Sequence, residues 1–231
     1  MNTGENYLQI KNEMISILKE CGRNEEDCKL IAVSKTKPIS DMMPVYEAGC
    51  RDFGENKVQE ILKKKPEMPQ DVRWHMIGHL QTNKVKDIVG VAYMIHSVDS
   101  LHLAEAISKE ALKKNLTARI LLEVNVGEEE SKFGVSFEEC RKFYEEVCAL
   151  PGLDVCGLMA IAPYVENPEE NRQYFVNLRQ LSVDLFEKKI HNGIGVELSM
   201  GMSGDYTVAI TEGATMIRVG TSIFGERNYS V

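Results

Sequence analysis

Eight short apolar runs recur along this chain, and the stretches between them carry helical periodicity. The runs are Leu30–Ser34, Asp52–Glu55, Trp74–Gly78, Met94–Val98, Arg119–Asn125, Val155–Ile161, Val196–Met200 and Met216–Gly220. They are continuous more than alternating, the pattern of strands covered on both faces in a parallel sheet. Eight strand-then-helix units in 231 residues predict an α/β fold, a (β/α)8 barrel of the TIM type without large insertions. The competitor is a doubly wound open sheet, which would normally stop at about five to seven strands. No repeat, low-complexity tract or Ser/Pro-rich linker divides the chain, so one domain over 1–231 is expected.

The helical segments have legible ends. Tyr7, Ile10, Met14, Ile17 and Cys21 recur at steps of three and four and predict an additional N-terminal helix over about 5–21, stopped by Gly22. Ser40–Ala48 stops before Gly49, and Leu101–Lys113 carries Leu103, Ala106, Ile107 and Ala111 on one side. Ser136–Ala149 opens with Ser136 and Glu139 in capping-box order. Pro168–Lys189 has Asn167 at the N-cap and Pro168 at the first helical position, and Thr207–Glu212 precedes Gly213.

Charge and composition narrow the function classes. The net charge is −8, against a nucleic-acid or anionic-membrane surface, which needs clustered Lys and Arg. No stretch approaches ~20 uninterrupted apolar residues. The first residues are polar and show no secretory or transit character. The six cysteines are scattered without a CxxC pair and read as reduced, mostly buried thiols. A cytoplasmic protein is expected. No long exposed apolar stripe demands a dimer, so a monomer is expected as well.

In barrels of this kind the site lies at the C-terminal ends of the strands, and phosphate is often held by the loops after strands seven and eight. Here strand seven runs into Ser199-Met200-Gly201-Met202-Ser203-Gly204-Asp205, and strand eight into Arg218-Val219-Gly220-Thr221-Ser222. Glycine permits close backbone approach, and exposed N–H groups with hydroxyls can cradle an anion. Taken singly, each reads as an ordinary loop with an N-cap at Ser203 or Thr221. Two on successive strands point to a phosphate site. Strand one, the neighbour of strand eight in a closed barrel, ends in Val33-Ser34-Lys35. A lysine beside a phosphate cradle can form a Schiff base once partial burial and nearby cations supply the neutral amine. Pyridoxal 5′-phosphate (PLP) and phosphorylated-sugar aldol substrates both fit that description.

Further residues carry a family resemblance. Ala32-Val33-Ser34-Lys35-Thr36-Lys37, Phe53-Gly54-Glu55-Asn56 with Gln59-Glu60, and Trp74-His75-Met76-Ile77-Gly78-His79-Leu80-Gln81 resemble the pyridoxal phosphate homeostasis protein family. So do Glu130-Ser131-Lys132, Gly157-Leu158-Met159, Leu198–Asp205 and Arg218–Arg227, in family order over nearly the whole chain. That family resembles the N-terminal barrel of alanine racemase, the type III fold of PLP enzymes. The resemblance implies a carrier and regulator of PLP (vitamin B6) and amino-acid pools, without an established reaction. It implies a covalent aldimine between PLP and Lys35, with Ser199, Gly201, Ser203, Gly220 and Thr221 around the phosphate. It also implies Arg218 near the pyridine nitrogen and Asn56 beside the ring. A guanidinium there stays charged and disfavours protonation of that nitrogen, which weakens the ring as an electron sink.

Other features have plainer readings. His75 and His79 stand four apart, but on a strand and in the following loop, with no third ligand at matching spacing, so no metal is expected. His96, His102 and His191 form no recognisable cluster. Lys63-Lys64-Lys65 reads as a solvated helix end. Gly193-x-Gly195 is followed by Leu198 where a dinucleotide fingerprint needs glycine. Lys132 reads first as part of a charged surface loop, and alternatively as a residue at the mouth that helps PLP enter, leave or pass to a PLP-dependent apo-enzyme. The rival class is a racemase-like enzyme, which needs acid/base groups on both faces of its substrate. The chain ends soon after the eighth strand, so no second domain is expected to supply one. Tyr164 is the internal candidate.

Overall fold

The eight runs form parallel strands: β1 (Lys29–Val33), β2 (Asp52–Glu55), β3 (Arg73–Met76), β4 (Met94–Val98), β5 (Ala118–Val124), β6 (Leu153–Ala160), β7 (Glu197–Ser199) and β8 (Met216–Val219). In this computed structural model, which describes residues 2–127, 133–191 and 195–226, they close in chain order with β8 back on β1. The closing register pairs Lys29 with Met216 and Ala32 with Val219. Bounds of β2 and β4 coincide with the sequence reading, and the others differ by one or two residues at their ends.

Side chains alternate between two layers, as strand geometry requires. Ile31, Met94, Leu121, Cys156, Met159 and Met216 form a small apolar cluster inside the barrel. Leu30, Ala32, Phe53 and Trp74 point the other way, into the larger core shared with the helices. β7 is the weakest member, pairing with β8 only at Ser199 and Met216.

The outer ring contains α1 (Thr3–Glu20), α2 (Ile39–Glu47), α3 (Val58–Lys64), α4 (Val85–Ile88), α5 (Leu101–Lys113), α6 (Phe137–Cys148), α7 (Arg172–His191), α8 (Tyr206–Thr211) and α9 (Thr221–Phe224). α5 has its expected bounds. Ser136 caps α6, its Oγ accepting from Glu139 N at 3.2 Å and donating to Glu139 Oε2 at 2.8 Å. α1 begins earlier than its apolar periodicity suggests, because Asn2 and Glu5 close a capping box ahead of Tyr7. Pro168–Asn171 is a 3-10 turn, and the α-helix starts only at Arg172.

Two crossovers lack a full helix. The one after β3 has a 3-10 turn (Thr82–Lys84) and the four-residue α4, and α9 after β8 is a single turn. α1 fills the second gap. Its buried face of Tyr7, Ile10, Met14 and Leu18 packs between α2, α8 and α9. Asn6 Nδ2 donates to Ile223 O at 3.0 Å, and Tyr206 Oη donates to Glu13 Oε2 at 2.8 Å. Arg23 donates to Ile210 O and Ala214 O, each at 2.8 Å. No helix among the described residues is long and apolar enough to cross a membrane.

This packing sets a stability expectation. Leu18 is fully buried, so Leu18→Ala is expected to lower unfolding free energy by about 2–5 kcal/mol. Leu8, on the same helix but 43% exposed, should cost less than about 1 kcal/mol when truncated. Urea unfolding of the two variants checks the difference, and equal losses would show that α1 is not seated as described.

Candidate functional site

Alternation along β1 puts Lys35 on the interior side, above Ile31 and Val33. The extended pairing continues one residue past the strand, with Ser34 N donating to Gly54 O at 3.0 Å. Thr36 then turns the chain with φ 65°, a left-handed conformation that a β-branched residue adopts only under constraint. The constraint comes from α3. Thr36 N donates to Glu60 Oε2 at 2.7 Å. Lys64 Nζ donates to Ser34 O at 2.9 Å, Glu55 Oε1 at 2.7 Å and Glu60 Oε2 at 3.0 Å. Ser34 Oγ donates to Glu55 Oε1 at 2.6 Å. Both neighbours of Lys35 are thereby clamped, while Lys35 itself is half-buried.

This corrects the reading of Lys63-Lys64-Lys65 as a solvated turn. Lys63 and Lys65 are exposed, but Lys64 is buried because its helical phase directs it onto Glu55. Burial pushes the Glu55 carboxyl up to about 7, against the opposing pull of Lys64 and Ser34.

The two glycine- and hydroxyl-rich loops meet beside β1. Gly201 has φ 86°, and a Cβ there would lie 2.5 Å from Ala209 Cβ, so that position requires glycine on both counts. Asp205 Oδ1 accepts from Met202 N at 2.7 Å, and Asp205 Oδ2 from Asn171 Nδ2 at 2.8 Å, which pins the β7 loop. Ser203 is not a helix cap; Asp205 and Gly220 occupy the N-cap positions of α8 and α9. The Ser203 hydroxyl instead accepts from Gly220 N at 3.3 Å and Ser222 N at 3.4 Å. The donors from the β8 loop thus point at the β7 loop. Thr221 opens α9 and is exposed. Gly220 lies against β1, where a Cβ would be 3.3 Å from Val33 O. Lys37 Nζ ties the loop after β1 to Phe224 O at 2.8 Å.

Arg218 is buried below these loops, with Nη1 donating to Ser199 Oγ at 2.6 Å and Nη2 to Ala160 O at 2.8 Å. Burial lowers its pKa to about 10, opposed by Glu123 and Asp205, so it stays charged near neutrality. Ser199 is the last residue of β7. Its side chain follows the inward phase of β7, and its hydroxyl is taken up by Arg218 and by His96 Nδ1 at 2.9 Å. Asn56 follows β2, half-buried, under a close crossing with Gly78, where a Cβ would lie 2.5 Å from Asn56 O.

Several groups went unrecognised in the sequence. Glu123 is buried on β5, the strand across the barrel from β1, and its Oε2 lacks a hydrogen-bond partner among the described residues. Burial pushes its carboxyl up to about 7; Asp99 adds to the rise and Arg218 opposes it. The available signal was a lone acid inside Ile120-Leu121-Leu122-Glu123-Val124. His75 and His96 form a hydrogen-bonded pair at 2.8 Å, a cluster that sequence spacing did not show. His79 goes elsewhere, with Nδ1 3.0 Å from Asp99 Oδ2 and its ring stacked on Phe133 at 3.9 Å between centroids. Tyr164 is 95% exposed. Lys132 lies outside the described residues.

The raised Glu123 pKa has a signed consequence. The folded state holds the proton to about 7 and the unfolded chain to about 4.5, so the contribution is full below the lower value and lost as pH rises through the higher one. Glu123→Gln is expected to lessen the drop in unfolding free energy between about pH 5 and about pH 8 by on the order of 2–3 kcal/mol. Urea unfolding at both pH values checks this. An unchanged drop would mean that Glu123 is ionised throughout.

Comparison with known proteins agrees with this architecture. The family model described as alanine racemase, N-terminal domain, matches residues 11–228. A pyridoxal phosphate homeostasis protein from Aquifex aeolicus is 45% identical over 230 residues, covering 99% of this chain and 100% of the relative. The structure of PipY from Synechococcus elongatus with PLP bound superposes with a TM-score of 0.78 at 34% identity, covering 92% of this chain and 100% of that one. Alanine racemase from Corynebacterium glutamicum shares the fold, with a TM-score of 0.72 at 15% identity over 97% of this chain and 63% of the longer enzyme. The chain therefore belongs to the pyridoxal phosphate homeostasis protein family, built on the alanine racemase N-terminal barrel.

Proposed function

We propose that the protein binds PLP at the C-terminal mouth of its barrel and holds it, linked through the aldehyde to Lys35 Nζ, for delivery to PLP-dependent apo-enzymes in the cytoplasm. The observation that carries this reading is the convergence of the β7 and β8 loops on Ser203, beside the strand that leads into Lys35. The residues fit the group. Long bonds of 3.3 and 3.4 Å from Gly220 N and Ser222 N to a neutral hydroxyl leave donors that an anionic oxygen would satisfy better. Gly201 and Gly220 keep the backbone free of Cβ atoms at that point. Ser203 and Thr221 supply hydroxyls, Asn56 stands at the end of β2 to flank the ring, and Arg218 is the cation for the pyridine edge.

PLP supplies an electrophilic aldehyde and a ring that can delocalise charge. The chain's own residues set how far that capacity is used. Arg218 keeps its proton at neutral pH and holds the ring nitrogen unprotonated, which favours storage over amino-acid chemistry. Ser34, Glu55, Glu60 and Lys64 fix the chain on both sides of Lys35 and so hold it at the rim. Glu123 gives the racemase-like alternative one specific support, because a carboxyl with a pKa near neutrality on the opposite wall can hold or release a proton.

Borohydride treatment of the purified protein, followed by peptide mapping, is expected to find the pyridoxyl group on Lys35, and Lys35→Ala to abolish the visible band. A reduced adduct mainly on another lysine would overturn the assignment. Ser203→Ala and Thr221→Ala are each expected to weaken PLP retention by about 1–3 kcal/mol and to affect pyridoxal much less. With individual L-amino acids, chirality and keto-acid assays are expected to show no turnover in the ordinary enzymatic range of ~1–10³ per second. Such turnover, lost in Lys35→Ala, would favour the enzyme. The loaded protein is expected to pass PLP to an apo-enzyme, and Lys132→Ala to slow that transfer more than it weakens binding.

A further inference from the structure

A continuous column of polar side chains crosses the barrel interior from its foot to Arg218. At the foot, Arg73 reaches solvent and donates to Asp52 through Nε at 2.8 Å and Nη2 at 2.5 Å. Asp52 Oδ1 lies 2.9 Å from His75 Nε2. His75 Nδ1 lies 2.8 Å from His96 Nε2, and His96 Nδ1 lies 2.9 Å from Ser199 Oγ. Ser199 Oγ receives Arg218 Nη1 at 2.6 Å. Both imidazoles and Ser199 are fully buried.

The chemistry of the end groups gives this column one direction. Arg218 has only donors, so Ser199 Oγ accepts from it. An ionised Asp52 has only acceptors, so His75 donates through Nε2. Burial opposes ionisation of Asp52, but bonds from His75 and Arg73 outweigh it and hold the carboxyl below its usual value. Burial lowers the pKa of both histidines, with His75 and Arg218 adding to the effect at His96. A neutral His75 that donates through Nε2 must accept at Nδ1. His96 therefore donates through Nε2 and accepts at Nδ1 from the Ser199 hydroxyl. Every proton in the column points from Arg218 towards Asp52. Moving them all one step would deprotonate Arg218 and protonate Asp52, against the preference of both, so the column is a lock and not a conduit.

We propose that Asp52, His75, His96 and Ser199 are positioning residues for Arg218, fixing which guanidinium N–H groups are spent in the barrel wall and which are presented to the ring nitrogen of the bound cofactor. The second claim rests on the function proposed above; the column's polarity does not. Two of the five guanidinium donors are committed, to Ser199 and to Ala160 O, and the guanidinium shows no other hydrogen bond among the described residues. A guanidinium held at two corners cannot rotate to offer a different edge. Removing a link near the foot should therefore be felt at the mouth.

The first measurement uses the unaltered protein without cofactor. Nitrogen NMR of histidine-labelled protein is expected to show His75 and His96 both neutral, protonated at Nε2 and bare at Nδ1, between about pH 6 and about pH 8. An Nδ1-protonated or cationic form of either overturns the polarity, whether or not PLP binds and whether or not any variant folds. The second measurement loads PLP onto the unaltered protein, onto His75→Phe, and onto Lys29→Met. Lys29 serves as control, a foot residue paired with Glu197 at 2.8 Å and outside the column. His75→Phe is expected to shift the visible band and the pyridine nitrogen resonance and to speed cofactor loss roughly tenfold. Lys29→Met should leave all three unchanged. Identical spectra and loss rates in His75→Phe and the unaltered protein would overturn the positioning role. Failure of the unaltered protein to take up PLP would instead sink the proposed function and leave the histidine result standing.

Discussion

The hydrogen-bonded ladder between β8 and β1 is the contact on which the rest of the molecule depends. It pairs Lys29 with Met216 through Ala32 with Val219 and turns a row of eight strands into a closed surface. Closure places the end of β1 beside the loop after β8 and so brings Val33, two residues before Lys35, against Gly220. It also requires a cover over the seam, because α9 is one turn long, and α1 supplies it. Barrel, cover and candidate site are three consequences of one pairing.

How much of this was legible in the sequence depends on the range of the interaction. β2, β4 and α5 were readable to the residue because strand runs and capped amphipathic stretches are local patterns. Gly201, Ser203, Gly220 and Lys35 were readable because they sit at strand ends and their residue types announce close approach or nucleophilic chemistry. Ser199 was legible as a strand end, but the inward phase of its three-residue strand, which takes the hydroxyl to Arg218 and His96, was not. Lys64 looked like one of three solvated lysines because its partner, Glu55, belongs to another element. His75 and His96 stand 21 residues apart, and only the register between neighbouring strands makes them meet. The crossover after β3 was silent because a single helical turn has too few positions to show a period.

The interior chemistry is costly and ordered. Buried ionisable groups lose hydration that only partners can replace. The barrel answers in two ways. Between β2 and α3 it gathers Glu55, Glu60 and Lys64 around the backbone of Ser34 and Thr36, so the ion pairs also hold a left-handed turn in place. Across its axis it strings neutral imidazoles and a hydroxyl between two opposite charges, so each link is satisfied without a net charge in the middle. Glu55 and Glu123 each keep one carboxyl oxygen without a partner among the described residues, and at Glu123 no lysine stands beside it. Such a group marks a point where stability has been given up in favour of an electrostatic environment facing the mouth.

The bond from Lys37 to Phe224 joins residues 187 positions apart. A contact of that span draws on both ends of the barrel, and closing so large a loop carries an entropic cost. The loops after β7 and β8 therefore meet the end of β1 only where the β8–β1 ladder is closed. A small molecule that bridges β1 to those loops binds only the completed form. Its concentration would then act on the yield of folded protein as well as on the occupancy of the site.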